Sequence, residues 1–431
     1  MSDTITSAPT ADHPARRTPR RILVVVAMKG LGDAVESLPA FELIKRHLPE
    51  AELHAGYMTT RRSTSKDKQE GVLRSSPHVA GLVQLHGDAK DPRKSLPNLL
   101  RNAHALRPFD VALFLYKRDR IAWTWPLTAA LARTRLLYRH GYRYRDPRRD
   151  ALSDFPQHVL FQLAASNLLL GKPLATAEPP RIAPGPAELA HAAQVFADNG
   201  LGARPVAIFN LRAPKYAHIG RWGTDRFARV AEELHARGVD LVFNGGLQEQ
   251  ADELDGLPTH VREAITVIGG HTPLELAAVI QRCDVFIGEP SGPTFLALAV
   301  GTPTVTLQGP GDHGYPGQNR GGALWWPHRR THRVVSKVEW CQLTMGASCT
   351  CTHLTAAPAS ARAMKYLGVW KVYKGLRQSV LPPAPRPPVS ARRFPCLEAI
   401  EPADVVAAVT DLLGDRLRPP AAAPDDPVGT R

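Results

Sequence analysis

Asp284-Val285-Phe286-Ile287-Gly288-Glu289-Pro290-Ser291-Gly292-Pro293-Thr294-Phe295-Leu296-Ala297-Leu298-Ala299 reads as a short apolar strand, a tight turn and a small-residue helix. Gly301 stops that helix, and a second apolar run follows at Thr304-Val305-Thr306-Leu307. Ser291 stands where an N-cap belongs and Pro293 in the first turn. The first N–H groups of such a helix face outward and, with the helix dipole, favour an anion. The same pattern also fits an ordinary strand-to-helix turn, so the rest of the chain has to decide.

Working outward, the alternation repeats. Ile22 to Ala27 is a continuous apolar run, the pattern of a central parallel strand buried on both faces. Gly30-Leu31-Gly32-Asp33 leads from it into a helix carrying Leu38, Phe41, Leu43 and Ile44. Glu52 to Tyr57, Leu82 to Leu85 and Asp110 to Leu115 continue the strand series, with a polar basic loop over 59–68 and a helix around 95–106. A second series starts at 205–209. It continues with a helix over 224–237 capped by Thr224 and stopped at Gly238, and a strand at 240–243 running into Asn244-Gly245-Gly246. Thr272-Pro273-Leu274-Glu275 is a capping box with proline in the first turn, opening a helix to Arg282. Strands alternating with helices mean βαβ units and parallel sheets. The fold class is α/β, two Rossmann-like domains facing across a cleft, where ligands bind in such architectures.

The chain of 431 residues suits two domains of roughly 150–200 residues. The expected division is a basic tail (1–20), an N-terminal domain (21–170), a Pro/Ala-rich linker (171–186), a C-terminal domain (187–400), a closing helix (401–417) and a tail (418–431). A helix is expected just past the linker (187–199) and another around 361–376, ahead of a Pro-rich segment (382–388). The net charge of +14 points to an anionic partner. No run reaches the 18 or so apolar residues of a membrane span, and residues 1–21 lack the apolar core of a secretory signal. Five cysteines in so long a chain are not a disulfide scaffold. The expected location is cytoplasmic, at the cytoplasmic face of the inner membrane.

Gly30-Leu31-Gly32-Asp33-Ala34-Val35 is not a dinucleotide fingerprint: Val35 takes the third glycine's place, and the next strand ends at Gly56-Tyr57 without an acid for a ribose. Asp33 at a helix start facing the cleft reads either as a cap or as a general base toward an acceptor hydroxyl.

Ile22-Leu23-Val24, Gly32-Asp33, Leu38-Pro39-Ala40 and Leu48-Pro49-Glu50-Ala51 together resemble the opening of the heptosyltransferases, glycosyltransferase family nine. Gly269 to Ala277 is similar to that family's second signature, and Ile287 to Ala299 with Gly301-Thr302-Pro303-Thr304-Val305 to its third. Arg221-Trp222 with Phe227 resembles its basic-Trp motif, and Cys396 with Pro402 to Val406 its C-terminal pattern. The resemblance implies a GT-B fold, with acceptor in the N-terminal half and nucleotide-sugar donor, ADP-heptose for example, in the C-terminal half. It implies Asp33 as the base of an inverting, metal-independent transfer, with no cofactor. The candidate donor contacts are Lys215, Arg221, Glu249, Glu289, Ser291, Gly292, Pro293 and Thr294. The candidate acceptor contacts are Gly32, Arg61, Arg62, Lys117 and Arg118.

The sequence departs from the family pattern where sugar is held. Pro290 stands where the family has Asp before Ser/Thr-Gly, and Phe295 where it has His. Gly220 replaces the Lys before Arg-Trp. Glu289 is the carboxylate left to substitute for the Asp. Backbone N–H contacts to phosphate survive such changes, whereas sugar selectivity need not.

Residues 117–150 hold ten Lys/Arg against three Asp, with Trp123, Trp125, Tyr138, Tyr142 and Tyr144 among them. A nucleic-acid groove, an anionic membrane surface, a phosphorylated glycolipid and a solvated helix face all fit such a stretch. No nucleic-acid motif accompanies it, and an anionic glycolipid acceptor at the membrane accounts for both charge and aromatics. Cys341, Cys349, Cys351 and Cys396 gather late in the chain, but Cys-x7-Cys-x-Cys is awkward for one ion. They read as structural thiols or a redox pair. Cys283 reads as a packed thiol at a helix–strand junction. The competing functions are a nucleotide-sugar epimerase or hydrolase, and a non-catalytic nucleotide-sugar-binding protein.

Overall fold

The computed structural model describes residues 18–26, 30–59, 66–86, 92–115, 124–138, 157–211, 222–245, 254, 257–307, 331–335, 337 and 395–417. Two all-parallel sheets organise them. In the first, β1 (Arg21–Val26) lies between β2 (Glu52–Thr59) and β4 (Val111–Leu115), with β3 (Gly81–His86) and β5 (Arg135–Leu137) at the edges, in the order β3-β2-β1-β4-β5. Val24 is in register with Ala55 on one side and Leu113 on the other. In the second, β6 (Val206–Asn210) lies between β7 (Asp240–Asn244) and β9 (Val285–Gly288). The full order is β11-β10-β9-β6-β7-β8, with β8 at Ile265–Ile268, β10 at Thr304–Leu307 and β11 at His332–Val335.

The apolar run at 22–26 is buried along its whole length, and its two faces serve different cores. Ile22, Val24 and Val26 join one cluster; Leu23 and Val25 join another, as the two-residue repeat of a strand requires. Helices therefore cover both faces. The first cluster holds α1 (Leu31–His47), α2 (Lys66–Arg74) and α5 (Gln157–Ala164). The opposite face carries α3 (Pro92–Leu106) and α4 (Thr124–Ala132). Right-handed crossovers produce this split, because the chain winds one way from β1 to β3 and the other way through β4 and β5.

The second sheet is built alike. Val206 and Ile208 face the cluster that continues from the first half, where α6 (Pro186–Asp198), α9 (Pro273–Arg282) and α10 (Gly292–Val300) lie. Ala207 and Phe209 face a separate core with α7 (Thr224–Ala236), α8 (Thr259–Ala264), α11 (Pro395–Glu398) and α12 (Pro402–Leu413). Both halves use one device to hold the central strand. Asp110, just before β4, accepts the Arg21 N–H at 2.9 Å, and Asp284, just before β9, accepts the Val206 N–H at 2.6 Å.

Between the sheets, α5 runs into a π-helical turn (Ala165–Leu170) that Gly171 ends in the left-handed region. An extended segment, 173–185, then reaches α6. The fully buried Gln162 side chain exchanges two hydrogen bonds with the Glu178 backbone, and the Ile182 N–H donates to the Ala299 carbonyl.

Several details differ from the sequence reading. The loop expected over 59–68 ends early: α2 begins at Lys66 and runs to Arg74, with Gln69, Val72 and Leu73 buried. The N-cap of α7 is Gly223, not Thr224, and Asp225 lies in its first turn. Residues 157–170 are helical, and β8, α8 and β11 are additional elements. The final helix gives way at Gly414 to a 3-10 turn through Arg416. Cys283 is buried, its thiol donating to the Val279 carbonyl as expected of a packed residue. The helix expected at 361–376, the Pro-rich segment and both tails lie outside the described residues, as do Cys341, Cys349 and Cys351.

Candidate active site

Strand order alone marks two places. The order in which strands are added reverses between β1 and β4 in the first sheet and between β6 and β9 in the second. Crevices for ligands open at the carboxyl ends of such strand pairs. The Gly30–Asp33 turn leaves the end of β1, and the Glu289–Gly292 turn leaves the end of β9. Both quoted motifs occupy switch points.

The two helices that follow meet near their first turns. A β-carbon on Gly32 would stand 2.5 Å from Cδ2 of Phe295, and one on Gly292 would stand 2.8 Å from Cβ of Leu31. A side chain at either position would push against the opposing half, which is already there. The start of α1 therefore sits beside the start of α10. Phe295 is the ring laid over Gly32.

Asp33 is the third residue of α1 and reaches back to the N-cap, Gly30, whose N–H donates to its Oδ2 at 2.8 Å. The Gly30 carbonyl takes the Gln69 amide at 3.1 Å, so α2 supports this turn. Asp33 is half-buried, and the capping bond fixes its carboxylate against the Gly30 N–H at the start of α1.

Across from it, Ser291 occupies the N-cap of α10, but its side chain does not bond the helix backbone. Its Oγ accepts from Asn210 Nδ2 at 3.0 Å and lies 3.1 Å from Thr294 Oγ1. Asn210 Oδ1 in turn accepts from Asn244, and Thr294 donates to the Glu289 carbonyl. This chain of side chains joins the carboxyl ends of β7, β6 and β9 and leaves the first-turn N–H groups of α10 to another acceptor. The strand-end asparagines Asn210 and Asn244 carry it. Asn210 had no signal beyond a polar residue closing an apolar strand.

Glu289 is turned inward, only 1% exposed, and its Oε1 accepts the Trp222 N–H at 2.9 Å. Trp222 is itself buried and donates its indole N–H to the Ile400 carbonyl, which also receives Arg226. The carboxylate thus ties the turn after β9 to the end of the loop after β6. Lys215, Arg221, Glu249, Arg61, Arg62, Lys117 and Arg118 lie outside the described residues.

Among the described residues one group has the donors of a metal site: His191 on α6, with His271 and Glu275 at the start of α9, their ligand atoms within 4.8 Å of one another. His191 Nε2 and His271 Nδ1 are 3.0 Å apart. Burial first, then the neighbouring His191, pushes the His271 pKa down, while Glu275 pulls it up. Glu275 is committed to the capping box with Thr272, whose N–H lowers its pKa.

The sequence profile of glycosyltransferase family 9 (heptosyltransferase) matches residues 109–354, over half the chain. The chain belongs to that family. It is 36% identical over 97 residues to lipopolysaccharide heptosyltransferase 3 of Escherichia coli (strain K12), a stretch covering 21% of this chain and 28% of that protein. It is 30% identical over 114 residues to lipooligosaccharide heptosyltransferase 2 of Haemophilus influenzae, covering 26% and 33%. The matched stretches thus span about a third or less of these curated relatives. The fold is similar over much more. A glycosyl transferase family 9 structure from Veillonella parvula aligns with a TM-score of 0.59 at 18% identity, covering 91% of this chain and 97% of that one. The E. coli ADP-heptose lps heptosyltransferase II aligns with 0.58 at 17%, covering 91% and 98%. At such identities the likeness speaks for the fold, which is GT-B. The family profile begins beyond Asp33, so the case for that residue rests on geometry and on the resemblance around it.

Proposed function

We propose that this protein transfers a heptose or related sugar from a nucleotide diphosphate donor to an anionic glycolipid or polysaccharide acceptor, by a single inverting displacement without a metal. The observation that carries the reading is the meeting of the two helix starts. Asp33 stands in the first turn of one helix, and the anion-favouring N-terminus of α10 packs beside the start of that helix. In a GT-B enzyme these are the two functions that have to be brought together.

Asp33 takes the proton of the acceptor hydroxyl as its oxygen bonds to the anomeric carbon. The bond from that carbon to the diphosphate oxygen breaks, and the departing charge falls on the N–H groups at Gly292 and Thr294. Ser291 keeps these groups available because its hydroxyl is held by Asn210 and Thr294. Lys215 and Arg221, in the connection between β6 and α7, supply further positive charge, and Glu249, past the end of β7, meets the ribose. Glu289 acts as a positioning residue: its carboxylate fixes Trp222, directly after Arg221. Pro293 sets the first turn of α10 without competing for the phosphate. Arg61, Arg62, Lys117 and Arg118, with Gly32, receive the acceptor. The N-terminal half is the acceptor domain and the C-terminal half the donor domain, working at the cytoplasmic face of the inner membrane.

The support is the family membership, the two switch-point motifs and their approach. The test is incubation with ADP-, UDP- and GDP-sugars and a phosphorylated glycolipid, followed by mass analysis of products. The reading predicts a new glycosidic bond with release of nucleoside diphosphate. Free sugar alone, or donor binding without turnover in the presence of acceptor, would contradict it.

A further inference from the structure

The outer face of the first half carries leucines where a soluble helix would carry charge. Of the six large hydrophobic side chains exposed among the described residues, four lie on the adjacent helices α3 and α4: Leu96 (61% exposed), Leu100 (57%), Leu127 (46%) and Leu131 (48%). Each pair is spaced i, i+4 and so lies on one face of its helix. On α4 the buried side is Trp125, Thr128, Ala129 and Ala132, of which Trp125 and Ala132 join the core with β1 and β4. The exposed side between positions 126 and 131 is Pro126, Leu127, Ala130 and Leu131, without one polar side chain.

Such a face is not required by the core, because α3 and α4 already bury their inward sides against β1 and β4. Exposed leucines gathered on two adjacent helices mark an interaction surface. Its rim identifies the partner. Arg101 and Arg107 are exposed on and just after α3, and Arg133 is exposed just after α4. The segment of sequence around α4 is strongly basic and the whole chain has a net charge of +14. Leucines bordered by arginines, on helices lying side by side, match the boundary between acyl chains and anionic headgroups. Among the described residues no helix is long and apolar enough to cross a membrane.

We propose that α3 and α4 form a docking surface for an anionic phospholipid bilayer, with the four leucines entering the acyl boundary and the arginines meeting phosphate. The placement deepens the acceptor assignment above and rests on it for its purpose. The patch covers the face of the first sheet opposite α1, so it leaves the meeting of α1 and α10 uncovered. α4 follows the carboxyl end of β4, at the same switch point as Asp33. A lipid-linked acceptor held at this surface would enter the crevice from the strand ends.

The experiment is flotation of the full chain with vesicles of phosphatidylethanolamine and phosphatidylglycerol, against vesicles of phosphatidylcholine alone, without any sugar nucleotide or acceptor. Binding is expected on the anionic vesicles and to weaken with salt. The quadruple variant Leu96→Ser, Leu100→Ser, Leu127→Ser, Leu131→Ser should lower the bound-to-free ratio about tenfold or more. Leu189→Ser, which removes an exposed leucine on α6, should leave it unchanged. Arg101→Glu with Arg107→Glu provides a second variant set that does not touch the leucines, and it too should release the protein from anionic vesicles. Wild-type binding by the quadruple variant would overturn the proposal. So would a wild-type dimer that the quadruple variant dissociates, with neither binding vesicles. Because the readout is independent of transfer, loss of vesicle binding and loss of the transferase reading are separate results.

Discussion

Replacing Gly32 by alanine puts one methyl group into the contact that defines the site. Its carbon would stand 2.5 Å from Cδ2 and 2.8 Å from Cε2 of Phe295, about 1 Å inside an ordinary carbon–carbon contact. Moving the ring or the helix to make room costs about 1–3 kcal/mol. Against this, alanine is favoured over glycine within a helix by up to about 1 kcal/mol. The net expectation for Gly32→Ala is a loss of about 1 kcal/mol. In a Phe295→Ala background the space is open, only the helix preference remains, and the same change should stabilise by about 0.5–1 kcal/mol. The coupling between the two positions is then about 1–3 kcal/mol, measurable from urea midpoints of the four proteins in a double-mutant cycle. A coupling near zero, with Gly32→Ala equally tolerated in both backgrounds, would mean that the helix starts do not touch in solution.

Glu289→Ala leaves the buried Trp222 N–H without its carboxylate and should cost about 1–3 kcal/mol, whereas Glu289→Gln keeps an acceptor and should cost less. Urea midpoints for the two variants check this, and equal, negligible losses would remove the loop-holding role. The His271 imidazole, buried and next to His191, has its folded pKa held below the unfolded value. On acidification the unfolded chain takes that proton first, so this contribution to stability is full above about pH 6.5 and declines as the pH falls toward the folded pKa. Thermal melting of the metal-free protein across that range should show the decline, and His271→Gln should flatten it; an unchanged slope would count against it.

The apolar runs made both sheets legible because a parallel strand buried on two faces has no polar alternation to disguise it, as Ile22 to Val26 illustrates. Helix ends were legible where side chains declare them, as at Thr272 and Glu275. α2 was not, because a buried glutamine, Gln69, does the work of an apolar residue on its inner face. Edge strand β8 has four residues, buried at Ile265 and Ile268 and open between them, too short and irregular for a strand pattern to stand out. Asp33 and Ser291 could be picked out by position, but their surroundings could not. The line from Asn244 through Asn210 to Ser291 joins residues 34 and 81 positions apart, and only the sheet order brings them together. Glu289 shows the opposite difficulty: its place in a signature suggested a sugar contact, while burial turns it toward Trp222.

The central claim is that Asp33 takes the acceptor proton beside a donor held at the start of α10. The most direct measurement compares wild type and Asp33→Asn for formation of the glycosylated acceptor and, separately, for donor binding. Asparagine can still accept the Gly30 N–H, so the turn is retained while the base is lost. The account predicts a fall in turnover of about a hundredfold or more with donor affinity nearly unchanged. Wild-type turnover by Asp33→Asn would contradict it.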